Sequence, residues 1–408
     1  MVGLPARGKS YITKKVSNYL NWLNIQNKIF NVGNKRRLNL IDSNVGNTSN
    51  IKQNSDFFNP MEQSNVALRN QLALATLNDL LNWITQDDDH NVAIFDATNS
   101  TKSRRELIIQ NIDSYMSNQD YTTEDYSICF LESICNDLDI IESNIKLKLN
   151  GPDYKNIDQT DALLDFKKRV LNYESIYESV SSQELISNHL QYLKIINIHN
   201  LQKFNINGIY SILLTNFLQH YNVTKKSIWL SINNLNFNQI SSDLMINNSN
   251  LTIMSNDDQS SDCTSIIHKK IPKLHTLDQI HDLILDIESL SNDLLIQTQD
   301  QFLINGLFKY FKILQYSKDH SYSSFDLNNE IICINPNPYQ VDLTKIEIQH
   351  QVQLPSLELS RSNNSSISSL NSNLLTPLQN FDEFGLGFKE FDMKNLNNEL
   401  EERLRTII

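Results

Sequence analysis

Apolar residues recur at three- and four-residue steps directly after Lys9, at Ile12, Val16, Tyr19, Leu20 and Leu23. That spacing predicts an amphipathic helix beginning almost at the first residue. Residues 28–32 then read as a strand stopped by Gly33. A second, longer helical pattern carries Val66, Leu68, Leu72, Ala75, Leu77, Leu80, Leu81 and Ile84. Residues 91–95 form a short apolar run ending in Asp96, the pattern of a buried strand that delivers a carboxylate at its carboxyl end. Residues 127–132 and 192–198 read as further strands, each followed by helical spacing. Strands alternating with helices imply an α/β fold, a doubly wound parallel sheet with ligands outside the carboxyl ends of its strands.

The pattern changes after residue 226. A new strand opens at residues 227–230, and residues 227–350 read as a smaller, less regular α/β unit. Residues 351–394 are rich in Ser, Asn and Leu and read as a linker without a packed core. Residues 395–408 read as one acidic terminal helix. The 408 residues, 40% hydrophobic and 20% charged, suffice for two or more cores. A net charge of −12 argues against nucleic acid or an anionic membrane surface as partner, so an anionic ligand needs a locally basic site. The four cysteines, Cys129, Cys135, Cys263 and Cys333, show no metal-binding spacing. Together with the absence of a signal peptide or spanning run, this predicts a reduced, cytoplasmic chain.

Chemistry concentrates at the start. Gly3-Leu4-Pro5-Ala6-Arg7-Gly8-Lys9-Ser10 fits the phosphate-cradling loop, glycine, four residues, then Gly-Lys-Ser. Its backbone N–H groups and the following helix would hold a β-phosphate, Lys9 would neutralise charge, and Ser10 would ligate Mg²⁺. Asp96 fits the second carboxylate near metal and attacking hydroxyl, although an Asp after a strand is commonly a cap or turn residue. Only Met1 and Val2 precede Gly3, where a strand should carry the loop. The expectation is a truncated start, with Met1 internal to a strand of a longer parent. Arg36, Arg69, Arg104 and Arg169 would each pass alone as a surface cation. Arg36 and Arg104 fall just past strand ends, and Arg169 stands four residues before Tyr173 on one helical face. Converging guanidinium groups there would bind a sugar phosphate.

Residues 2–226 contain, in order, VGLPARGKSYITKK, FNVGNKRR, AIFDATNSTKSRR, FLESICND, GPDY and DFKKRVLNYESIY. This string resembles the kinase half of the 6-phosphofructo-2-kinase/fructose-2,6-bisphosphatase family. The resemblance implies a P-loop domain over 1–226 that moves the γ-phosphate of Mg·ATP to the 2-hydroxyl of fructose 6-phosphate. It implies ATP contacts from Gly3 to Tyr11 (Gly3, Leu4, Pro5, Ala6, Arg7, Gly8, Lys9, Ser10, Tyr11) and from Asn144 and Lys148. It implies fructose 6-phosphate contacts from Arg36, Arg69, Thr98, Arg104, Lys148, Arg169 and Tyr173. Lys9, Asp96 and Cys135 match kinase-site positions, with Ser10 and Asp96 on Mg²⁺; for Cys135 a small buried residue beside a strand explains the position equally well. The segment 144–148 is one residue shorter than in the family, and Lys146 is the alternative to Lys148. Residues 40–52 are Asn-rich and unlike it, so a remodelled loop is expected there.

In the second half the family has a histidine-phosphatase, phosphoglycerate mutase-like domain whose strand runs into Arg-His-Gly-Glu. Here Ile232 and Asn233 follow the strand, and Asn233 cannot attack phosphorus. Asp300 stands for the second histidine, Ser260 for an arginine, and Gln279 for the general acid if that residue is not deleted. A degenerate, shortened domain over 227–350 without phosphatase activity is therefore expected, serving as a vestigial lid or dimerisation unit in a homo-oligomer. Two other functions stay open: a non-catalytic scaffold that keeps the fold, and a P-loop kinase for another sugar phosphate.

Overall fold

The computed structural model describes residues 1–43, 54–187, 190–198, 200–222, 226–231, 251–255, 267–271, 276–311, 330–336 and 342–347. The expectations for the linker at 351–394, the helix at 395–408, and Ile232, Asn233 and Ser260 lie outside these residues.

Helix α1 (Lys9–Trp22) starts at Gly8, whose φ of 84° is the left-handed region a glycine enters at no steric cost. It buries Ile12, Val16, Tyr19, Leu20 and Trp22. Strand β1 (Asn27–Asn31) follows and pairs in parallel with β2 (Val92–Asp96), setting Asn31 opposite Asp96. Gly33 does not stop β1 as its position suggests. It lies in the first turn of α2 (Val32–Ser43), because the Asn31 side chain accepts from the Asn34 backbone N–H at 2.9 Å and caps that helix. A 3-10 turn (Ser55–Phe58) leads to α3 (Gln63–Ile84), which packs on β1 and β2, and α4 (Lys102–Asn118) follows β2.

Strand β3 (Cys129–Ile134) pairs in parallel with β4 (Gln191–Ile196), with α5 (Leu138–Leu149), α6 (Gln159–Glu174) and α7 (Ser182–Ser187) between them. The helical spacing expected directly after β4 is absent. The chain turns through Asn197 and Ile198, both at positive φ, into β5 (Asn200–Phe204), antiparallel to β4, and only then enters α8 (Ile209–His220).

These strands form two pieces, β1-β2 and β3-β4-β5, and Met1 and Val2 bridge them. The Met1 ammonium donates to Phe95 O at 3.0 Å, Val2 N donates to Leu131 O at 2.8 Å, and Ser133 N donates to Val2 O at 2.9 Å. Two residues thus supply the ladder contacts at the carboxyl ends of β2 and β3, where the glycine loop begins. The loop is thus tied to both neighbouring strands through the two residues that precede Gly3.

A second, six-stranded sheet has the order β11-β10-β6-β9-β7-β8. Its strands are β6 (Ile228–Ser231), β7 (Leu251–Ser255), β8 (Ile267–Lys270), β9 (Asp293–Gln297), β10 (Glu330–Asn335) and β11 (Asp342–Glu347). The pairs β6–β9, β7–β9 and β7–β8 are parallel, whereas β10 runs antiparallel to β6 and β11. Helices α9 (Leu277–Ser289) and α10 (Gln301–Tyr310) cover it. One apolar cluster joins both units: Ile12, Val16, Tyr19 and Trp22 of α1 pack with Ile280, Ile284, Leu307 and Phe308. Among the described residues no helix is long and apolar enough to cross a membrane.

Candidate active site

The loop is built for close backbone approach. Gly3 has a φ of 138°, and a Cβ there would stand 2.5 Å from Ser133 O. Gly3 N donates to Thr98 O at 2.9 Å, tying the loop to the segment after β2. Ala6 takes a positive φ of 57°, its carbonyl accepts from the Asn144 side chain at 3.0 Å, and Ser133 Oγ donates to Arg7 O. Leu4 and Pro5 complete the turn, and Leu4 O accepts from Lys9 Nζ.

Lys9 is buried. Burial, only partly offset by Asp96 and reinforced by Lys148, Arg7 and Arg169, lowers its pKa to about 7. Ser10 Oγ donates to Asp96 Oδ2 at 3.3 Å, and Asn31 Nδ2 donates to the same oxygen at 2.6 Å. Hydroxyl, carboxylate and ammonium therefore meet at the ends of β2 and the loop. Among the described residues no three His, Cys, Asp or Glu side chains cluster, so no protein cage for a metal is present there. A hydroxyl beside one carboxylate fits Mg²⁺, which takes few protein ligands and shares its shell with phosphates and water.

A second cationic zone adjoins the first. Asp153 accepts from Arg36 at 2.7 Å, Arg37 at 2.9 Å and Arg169 at 3.2 Å. Burial alone would raise its carboxyl, but Arg36, Arg169 and Arg37 hold it well below the usual carboxylate range. The Phe58 ring lies between two of these groups, with its centroid 4.1 Å from the Arg169 guanidinium carbon and 5.2 Å from that of Arg36. Arg69 donates to Phe57 O at 2.8 Å, and Tyr173 packs on Phe58. Burial lowers the Arg104 pKa to about 10, with Tyr173 opposing and Arg69 adding to the shift. The Nε–H groups of Arg36, Arg104 and Arg169 are all buried and find no acceptor among the described residues. Buried donors of this kind want an anion.

Of the residues singled out from the sequence, Lys9, Ser10, Asp96, Lys148, Arg36, Arg69, Arg104, Arg169 and Tyr173 come together. Lys148, though exposed, lies within electrostatic range of Asp96 and Arg169, whereas Lys146 pairs with Glu142 at 2.8 Å. Two candidates are placed differently. The Tyr11 ring turns away, its centroid 6.2 Å from that of Tyr221, with Glu288 in electrostatic range, so only its backbone adjoins the loop. Cys135 packs beneath the loop with Ala6 and Ile141, and burial pushes its thiol up. Asp153, Asn31, Phe57 and Phe58 escaped the sequence reading. Asp153 stands in GPDY, where an acid beside glycine and proline reads as a turn. Arg7 was read only as a loop position; it is buried and paired with Glu174 at 3.4 Å.

A glycine loop opening a helix, a lysine beside a strand-end aspartate, and a neighbouring arginine-rich pocket define a P-loop phosphate-binding protein. The family model for 6-phosphofructo-2-kinase matches residues 1–224. The chain belongs to the 6-phosphofructo-2-kinase family. It is 40% identical over 232 residues to a protein of Schizosaccharomyces pombe described as a probable 6-phosphofructo-2-kinase, covering 57% of this chain and 32% of that one. It is 38% identical over 234 residues to the mouse 6-phosphofructo-2-kinase/fructose-2,6-bisphosphatase 1, covering 56% and 45%. To 6-phosphofructo-2-kinase 1 of Saccharomyces cerevisiae it is 36% identical over 232 residues, covering 57% and 26%. The matched part thus spans less than half the length of each of these relatives.

Proposed function

We propose that the chain is an ATP-dependent 6-phosphofructo-2-kinase that makes fructose 2,6-bisphosphate. The single observation that carries this reading is the set of three orphaned, buried guanidinium Nε–H groups next to the Lys9–Asp96 pair. One zone suits a triphosphate and the other a sugar phosphate. In the reaction, the 2-hydroxyl oxygen bonds to the γ-phosphorus while the bond from that phosphorus to the β–γ bridging oxygen breaks. Asp96 takes the hydroxyl proton, and Lys9 with the loop amides stabilises the ADP leaving group. Arg36, Arg69, Arg104 and Arg169 fix the sugar's phosphate, Thr98 and Lys148 line the space between substrates, and Asn144 braces the loop. Mg²⁺, held through Ser10 and Asp96, would neutralise phosphate charge.

Residues 227–350 we read as a degenerate, histidine-phosphatase-like domain without bisphosphatase activity, in a cytosolic protein. In support, Asp300 is spent as the cap of α10, accepting from Phe302 N at 2.9 Å and Leu303 N at 3.3 Å. Purified chain given Mg·ATP and fructose 6-phosphate should form fructose 2,6-bisphosphate and ADP in equal amounts, and Lys9→Ala should lose about a hundredfold in kcat. An unchanged kcat in that variant would refute the assignment. Release of inorganic phosphate from fructose 2,6-bisphosphate would refute the loss of phosphatase chemistry.

A further inference from the structure

The two units meet along α1, the helix whose first turn carries Lys9 and Ser10. Among the described residues their contact is mostly apolar, but it includes a buried ion pair. Lys15 Nζ donates to both oxygens of Glu288, at 2.8 and 2.9 Å. Glu288 is 1% exposed, and its Oε1 also accepts from the Tyr310 hydroxyl at 2.5 Å. Lys226, next to β6, donates to Glu288 O at 3.3 Å and Leu290 O at 2.9 Å, closing the end of α9. Burial would raise the Glu288 carboxyl, but Lys15 and Lys226 hold it below the usual range. Farther along α1, Tyr19 Oη and His281 Nε2 are 2.7 Å apart, and the Trp22 ring stacks on His281 with centroids 6.1 Å apart.

Apolar packing sets how much of α1 is buried but tolerates sliding and rotation. A two-point ion pair does not, because both its distance and its direction are fixed. Lys15 follows Lys9 by six residues, about 9 Å along a rigid helix, so a rotation at Lys15 is transmitted to the loop. On its other side the loop is held by the backbone ties of Val2 and Gly3, the Ser133 and Asn144 contacts and the Arg7–Glu174 pair, none of which sets the rotation of α1 at Lys15. We propose that Glu288 of the second unit is a positioning residue for the phosphate loop, acting through Lys15 to fix the rotation of α1. The second unit then serves phosphoryl transfer without catalysing any step. This rests on the ATP-binding reading of the loop.

The test uses the full chain and the double variant Lys15→Met/Glu288→Leu. Replacing both charges by apolar groups commonly leaves a fold intact, whereas removing one does not. The double variant should keep its melting temperature within a few degrees. Hydrogen exchange across residues 9–16 should quicken about tenfold, the affinity for Mg·ATP should fall about tenfold, and the affinity for fructose 6-phosphate should not change. Should the double variant fail to fold, Lys15→Met/Glu288→Gln, which also removes both charges but keeps an acceptor for the Tyr310 hydroxyl, carries the same readouts. Wild-type exchange over residues 9–16 in the folded variant overturns the proposal. So does a parallel loss of fructose 6-phosphate affinity, which would mark general loosening. The exchange measurement needs no ligand. Wild-type chain that ignores Mg·ATP while the exchange effect persists would sink the kinase reading alone.

Discussion

If the loop holds ATP as proposed, the buried state of Lys9 makes that binding a proton-linked event. In the free protein its pKa is about 7, lowered by burial and by Lys148, Arg7 and Arg169 against the pull of Asp96. A triphosphate beside Nζ supplies the opposite charge and should return the pKa to roughly its ordinary 10.4. At pH 8 about nine in ten free molecules carry neutral Lys9, so binding takes up about 0.9 proton; at pH 6 the figure is about 0.1. Apparent affinity should weaken roughly 90-fold between pH 6 and pH 9, about 2.7 kcal/mol. The sign for folding of the free protein follows from the same shift. The unfolded chain binds more protons than the native one between about pH 7 and pH 10, so the Lys9 contribution to stability rises with pH across that window. Calorimetric titration with Mg·ATP at pH 8 in two buffers of different ionisation enthalpy measures the uptake directly. Lys9→Arg, which stays charged, should bind without it, and this separates Lys9 from the buried Met1 amine, itself lowered by burial to about 6. Heats that do not depend on the buffer at pH 8 in the wild type would refute the reasoning.

Arg169→Ala removes one guanidinium facing the anion site and frees Asp153 of a partner, so steady-state kinetics should show KM for fructose 6-phosphate raised about 30-fold or more, with KM for ATP little changed. Arg105 is fully buried, donates to both oxygens of Glu184 at 2.7 and 2.9 Å, and also reaches Asn99 O at 3.1 Å and Glu178 O at 2.8 Å. Arg105→Met leaves Glu184 without its buried partner and should cost about 3–5 kcal/mol, read as a lower denaturant midpoint. Gly3→Ala places a Cβ against Ser133 O at a φ that alanine avoids, so the loop must shift; Mg·ATP affinity should fall at least about tenfold in calorimetry while the melting temperature moves little.

Periodicity and short motifs are local properties, and they were legible locally. The helix after Lys9, the long helix around Leu72 and the strand ending in Asp96 all lie where the spacing of apolar residues places them. So does the loop, because its glycines answer a backbone need that one stretch of chain states by itself: Gly3 faces Ser133 O and Gly8 begins the helix in the left-handed region. The Asn31 cap that lets α2 start one residue after β1 is equally local, but Gly33 hid it by looking like a stop. Pairing is not local. That Met1 and Val2 join two sheet pieces, that β5 turns back antiparallel on β4, and that Asp153 gathers Arg36, Arg37 and Arg169 depend on hydrogen bonds and charges between residues far apart in the chain. Lys15 shows the difference best. On its helix it reads as an ordinary cation, and only the arrival of Glu288, more than two hundred residues later, makes it a buried ion pair. The sequence by itself therefore determined which residues are candidates to hold phosphate. Tertiary structure decided which of them are dry, which are paired and which way they face, because burial and Coulomb attraction depend on distance in space and not along the chain.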